Sequence, residues 1–246
     1  MDQEKLYETI FKRKSIRKFE SGPLDQSSME MVRSEIAALK PMVPGIRTEI
    51  KMLGTDEVKG MFKAEAPHYL AIYSEEKEGS AANAGFMLQQ MDLFFSASGI
   101  GCCWQGGPKP TKKVEPVAGL EYVIMLAFGS PAETLLRKSL AEFKRKALSD
   151  ISDIKGMDEF LEPVRLAPSG INNQSWFYRG DANRIDAYSA KSMITEQMNQ
   201  INVGIGVYHL WLSAAHNKKS IEMVIERPND DLTPKGYRYM VSAKMK

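Results

Sequence analysis

Histidine and cysteine are scarce in this chain. Its 246 residues include three histidines, His68, His209 and His216, and two cysteines, Cys102 and Cys103. No histidine stands in a ligand-spaced motif, so all three read as structural or surface side chains and no metal centre is expected. The cysteines are adjacent, a spacing that rarely pairs, so no disulfide framework is possible and a reducing, cytoplasmic compartment is expected. No segment reaches the roughly 18 apolar residues of a membrane span. The opening MDQEKLYETI is acidic and amphipathic and lacks the apolar run of a signal peptide. The formal net charge is only +2 and cations are spread along the chain, which gives no reason to expect a nucleic-acid partner. Walker loops, nucleophile elbows and serine-triad signatures are absent as well.

Apolar residues make up 43% of the chain and charged residues 26%, enough for the core of one large domain or two small ones. Residues 3–15 place Leu6, Ile10 and Phe11 on one face, which predicts a first helix. Gly22 and Pro23 break the pattern, and Asp25, Ser27 or Ser28 can cap a second helix carrying Met29, Val32, Ile36 and Leu39. IRTEIKML and PHYLAIYSE read as strands. A long helix from residue 80 is expected to run into a glycine-rich turn at GIGCCWQGG, residues 99–107. GLEYVIMLAFGSP has the near-continuous apolar run of a strand covered on both faces. Helix and strand patterns recur from there to the end.

The chain also repeats itself. Arg13-Lys14-Ser15-Ile16 with Phe19 returns as Arg137-Lys138-Ser139-Leu140 with Phe143. Pro44-Gly45-Ile46 returns near Ser169-Gly170-Ile171, Asn83-Ala84-Gly85-Phe86 as Asn202-Val203-Gly204-Ile205, and the strand from Tyr122 as the strand from Tyr237. The matches keep their order, which reads as two copies of one α+β unit, residues 1–132 and 133–246, packed about a pseudo-two-fold axis as a homodimer would be.

Three segments carry possible chemistry. RKSIRKF places four cations in residues 13–18 around a serine. If the helix ends there, Arg13 and Arg17 can converge with Ser15 on one anion, since the guanidinium fork suits phosphate; a solvated basic helix end is the alternative. APSGINNQSW, residues 167–176, is a turn by composition whose amides could meet a heterocycle edge with both donors and acceptors, or simply be a polar loop. GIGCCWQGG has four glycines in nine positions, which lets backbone approach a flat ligand. Its helix-then-loop order excludes a dinucleotide GxGxxG, and Cys102-Cys103 reads as small packing rather than redox chemistry.

Together these segments resemble the FMN-dependent nitroreductase family, and most of all its single-chain, fused-lobe branch, the putative TM nitroreductases. RKSIRKF is similar to the family's phosphate-side motif and APSGINNQSW to its flavin loop, with Ser175 standing where a proline is more usual. GIGCCWQGG is similar to the segment along the isoalloxazine ring, and LAFGSPAE to the later strand. The resemblance implies an α+β nitroreductase-like fold with two related lobes. Cofactor-binding positions would be Arg13, Lys14, Ser15 and Arg17; Trp104, Gln105, Gly106 and Gly107; and Pro168, Ser169, Gly170, Asn172 and Gln174. It implies FMN as cofactor, NADH or NADPH as donor, a nitroaromatic, quinone or similar small acceptor, no catalytic side chain, and a monomer that replaces the family's usual homodimer. Family members place the serine-asparagine loop soon after the first motif. Here it comes only after the second RKS, so one site built from both lobes is expected. A second site is expected to have decayed, with Ala141 and Glu142 in place of Arg17 and Lys18. The alternative function is a flavin-binding or flavin-sequestering protein without turnover.

Overall fold

Apolar alternation decides the first sheet. The structure, a computed structural model, describes residues 1–229 and 232–246. In β3 (His68–Ser74) and β6 (Glu121–Gly129), Leu70, Ile72, Ile124, Leu126 and Phe128 face the main core. Tyr69, Ala71, Tyr73, Met125 and Ala127 face a second apolar cluster with Leu53 and Val58. Both faces are therefore covered, which explains the unbroken apolar run of β6. The sheet is antiparallel throughout, in the order β1-β3-β6-β4, with β1 at Thr48–Gly54 and β4 at Gly101–Gln105. A minor ribbon pairs β2 (Val58–Lys59) with β5 (Lys109–Pro110).

The expected glycine-rich turn at 99–107 is mostly strand β4. Gly99 makes the turn (φ 82°), but Gly101 lies in the sheet, where an added Cβ would meet Ile16 at 2.9 Å. That glycine answers a close approach of the RKSIRKF segment, not a turn.

A second antiparallel sheet runs β7-β8-β10-β9, formed by Trp176–Gly180, Arg184–Ala190, Tyr237–Met245 and Ile221–Val224. Its strands follow the chain in the same order as β1, β3, β6 and β4 do in the first sheet. A buried helix follows the second strand of each set: α3 (Ser80–Ala97) after β3 and α5 (Glu196–His216) after β8. Each sheet bears a bulge on its corresponding strand, at Val123 in β6 and Met240 in β10.

α3 and α5 cross at two glycines in reciprocal contact. A Cβ on Gly85 would lie 2.2 Å from the Ile201 carbonyl oxygen, and one on Gly204 would lie 1.8 Å from that of Ala82. Backbone meets backbone there, which is why both helices are buried nearly all round. Around the pair pack α1 (Gln3–Ile10), whose Tyr7 stacks on His216 at 3.9 Å, and α4 (Asp158–Leu166). α2 (Gln26–Ala37) is capped by Asp25, which accepts from the Ser28 N–H at 2.8 Å; only Val32 of its apolar face is fully buried. Among the described residues no helix is long and apolar enough to cross a membrane, and no cluster of three or more His, Cys, Asp or Glu could hold a metal ion.

Candidate functional site

The first RKS segment leaves α1 and runs antiparallel to residues 130–137, bridging Arg13 to Leu136 and Phe19 to Pro131. This places Ser15 and Arg17 at one end of a cavity of about 570 Å³ between the two halves of the chain. Trp104 at the end of β4, the turn Gly106-Gly107 and the bulge residue Val123 line it from the first half. Pro168, Ser169, Gly170 and Ile171 line it from the second, with Met198 and Asn202 of α5. Eight of the thirteen expected positions thus meet around one space: Ser15, Arg17, Trp104, Gly106, Gly107, Pro168, Ser169 and Gly170. A slightly larger hollow of about 660 Å³ near Gly79 and Tyr237 contains none of them.

The other five positions face the scaffold. Arg13 is 1% exposed and grips Asp92 on α3 at 3.0 Å through both Nε and Nη2. Its Nη2 also donates to Ser15 Oγ at 3.2 Å, so Arg13 reaches the cavity through the serine. Lys14 pairs with Glu133 at 3.0 Å, and the same carboxylate accepts the backbone N–H groups of Arg17 and Lys18. The Gln105 side chain accepts from the Ala64 N–H at 2.9 Å. Gln174 accepts from the Lys146 N–H at 2.6 Å and donates to the Arg165 carbonyl at 2.9 Å. Asn172 donates to the Lys144 carbonyl and accepts from Arg145. Of the loop's amides, expected to meet a heterocycle, Asn172 and Gln174 hold the loop itself, while Asn173 lines the cavity.

That loop is unusual backbone. Ile171, Asn172 and Gln174 have φ of 49°, 59° and 44°, the left-handed region, which is a real outlier for β-branched Ile171. Such a conformation persists only where the surroundings over-determine it. Behind the loop the charge is positive. The second RKS lies against the first: the Arg137 guanidinium donates to the Arg13 carbonyl and sits 4.2 Å over the Phe143 ring. Burial, reinforced by Arg13 and Arg137, pulls the Arg145 guanidinium down to about 9. Among the described residues only Asp92 forms an ion pair with any of Arg13, Arg137 and Arg145. Glu142, which stands in place of Lys18 at the expected second site, accepts the N–H groups of Lys138 and Ser139.

The family model described as "Putative TM nitroreductase" matches residues 5–214. The chain belongs to this nitroreductase family. Among solved structures, a putative nitroreductase from Thermotoga maritima superposes with a TM-score of 0.64 at 20% identity, covering 97% of this chain and 93% of that one. A nitroreductase family protein from Clostridium difficile aligns over 59% of this chain and 94% of its own, with TM-score 0.48 and 14% identity. A putative nitroreductase from Desulfovibrio desulfuricans, solved in complex with FMN, covers 58% of this chain and 96% of its own, with TM-score 0.40 and 16% identity. No curated protein matches the chain.

Several residues of the cavity carry no motif in the sequence. Val123 reaches it through a bulge, Ile194 and Thr195 come from the segment just before α5, and Met198 from its first turn. The Met198 methyl packs on Gly106, where an added Cβ would lie 2.6 Å away. Asn202 had a signal, its repeat partner Asn83, but nothing in the sequence gave that match a role.

Proposed function

We propose that the chain is an FMN-dependent oxidoreductase that takes electrons from NADH or NADPH and passes them to a nitroaromatic, a quinone or a similar small acceptor. The observation that carries this reading is the single cavity where Ser15 and Arg17, the Trp104–Gly107 turn and the Ser169-Gly170 loop converge. Three features suit FMN. The volume lies within the roughly 300–1,000 Å³ range of cofactor pockets. Gly106 and Gly107 line the cavity with main chain alone, which lets a flat ring edge come close. Beneath Ser15 and Pro168, three guanidiniums share one paired carboxylate, a surplus suited to a phosphate monoester carrying −1.5 to −2 at neutral pH.

On this reading Arg17 donates to the phosphate end, and Ser15, held by Arg13, presents its hydroxyl beside it. The turn at 106–107 supports the ring edge, and Ile171 and Ile194 border the mouth. When bound, FMN supplies the hydride chemistry; the protein supplies binding, orientation and electrostatics. We assign residues 1–132 and 133–246 to two related lobes, supported by the matching strand orders and reciprocal glycines, with the site between them. The test is the flavin spectrum of the purified protein under anaerobic NADH or NADPH. Bleaching followed by reoxidation with a quinone is expected. Bound FMN that neither nucleotide reduces would leave a flavin-holding protein, and failure to bind FMN would end both readings.

A further inference from the structure

The strained loop at 169–175 needs something to hold it: within the loop Ser169 Oγ accepts the Gln174 N–H at 3.0 Å, and from outside the loop a cavity side chain on α5 does the rest. Asn172 and Gln174 tie the outer part of the loop to residues 144–146 and 165. The part that lines the cavity is tied from below by Asn202 on α5. Its Oδ1 accepts the Gly170 N–H at 3.0 Å, and its Nδ2 donates to Ser175 Oγ at 2.9 Å and to Asn173 Oδ1 at 3.4 Å. Asn202 is 0% exposed and uses both ends of its amide. It sits two residues before Gly204, whose contact with the Ala82 carbonyl fixes α5 against α3. The anchor is therefore rigid in a way that a loop residue could not be.

Asn83 occupies the corresponding place on α3, two residues before Gly85. It too is 0% exposed, and its Oδ1 accepts the N–H groups of Met42 and Val43 at 2.7 and 3.2 Å. The loop it holds is different. Residues 42–46 have positive φ only at Gly45, and their side chains are apolar. Val43 and Ile46 close with Ile225 around Gly79, within 4.0 Å of an added Cβ. One device thus serves two loops, only one of which lines the cavity.

We infer that Asn202 is the positioning residue that keeps loop 169–175 in its ligand-facing shape, and that Asn83 is the same device kept for packing alone. The ligand part of the inference rests on the FMN reading. The experiment pairs Asn202→Ala with Asn83→Ala, measuring FMN affinity by fluorescence quenching, Tm, and hydrogen exchange at the Gly170 amide. Both variants should lose Tm. Asn202→Ala alone should weaken FMN at least about tenfold, one lost hydrogen bond and its unpaired partner, and speed Gly170 exchange by a similar factor. Equal FMN losses in the two variants, or unchanged Gly170 exchange in Asn202→Ala, would overturn it. Should the alanine variant not fold, Asn202→Asp keeps the acceptor for Gly170 and loses the donors to Ser175 and Asn173. A Gly170 amide still protected with weaker FMN binding supports the inference, and unchanged FMN binding overturns it. If the wild-type protein binds no FMN, the flavin reading falls and Gly170 exchange alone decides the role of Asn202.

Discussion

Burial on α5 pulls the His209 imidazolium down to a pKa of about 3, against an ordinary value near 6.5. Its Nε2 faces Gln89 Nε2 at 3.0 Å and its Nδ1 faces the Pro163 carbonyl at 2.8 Å, so the neutral ring donates to Pro163 and accepts from Gln89. The folded chain thus favours the neutral form, and unfolding takes up a proton wherever the pH lies between about 3 and 6.5. The stabilisation is complete above 6.5 and is lost as pH falls, by up to about 1.4 kcal/mol per pH unit. His209→Gln should flatten the pH dependence of the denaturation free energy between pH 6.5 and 4 relative to wild type; parallel curves would show that the ring is not held neutral. Arg17 makes a second residue-level case. Its side chain is exposed at the cavity, whereas Arg13 is consumed by Asp92. Arg17→Ala should weaken FMN by about 1.5–3 kcal/mol, the size of a hydrogen bond to a charged group, and riboflavin much less. Equal losses by titration would remove Arg17 from the phosphate.

At the scale of elements, the helix crossing should be the least forgiving part of the fold. The atoms nearest an added Cβ on Gly204 are main chain, and no rotamer change can move them. Gly204→Ala should cost about 3 kcal/mol, the upper end of ordinary overpacking, read as a lower urea midpoint with an unchanged slope. Residues with one structural meaning were legible in the sequence: the apolar stripe of α1, the Asp25 cap and the covered run of β6. β4 was not, because a glycine signals a turn and a close approach equally, and only the arrival of Ile16 at Gly101 distinguishes them. The direction of the loop amides was hidden for a related reason. Composition says that Asn172 and Gln174 will form hydrogen bonds, while the partners at Lys144, Lys146 and Arg165 lie 9 to 28 residues away. Arg13 was grouped with Arg17 because nothing local distinguishes two arginines four apart; its partner Asp92 is 79 residues on.

At the scale of the molecule, the two halves offer unequal places to a cofactor. Where the second site would be, Val43, Ile46 and Ile225 meet around Gly79. The groove nearby, between Pro44, Phe86 and Trp211, measures about 280 Å³, below the usual lower bound of cofactor pockets. Arg137, which a second site would need, is committed beside Arg13. Saturation with FMN followed by removal of the excess should leave one flavin per chain by absorbance, on a species that sediments as a monomer. Two flavins per chain, or an obligate dimer that releases FMN on dissociation, would refute this arrangement.

The reciprocal glycines also restrict how anything enters. A slip of one helical turn, about 5.4 Å, would bring Ala81 or Gln89 to the place of Gly85 and drive a side chain into the Ile201 carbonyl. Shear between α3 and α5 is therefore blocked at both glycines, and the two helices cannot part without first losing that contact. Entry to the cavity is then over its exposed rim, at Ile171 and Ile194, while the floor beneath stays still. A ligand on that floor would be a long-term resident, and a molecule at the rim a visitor.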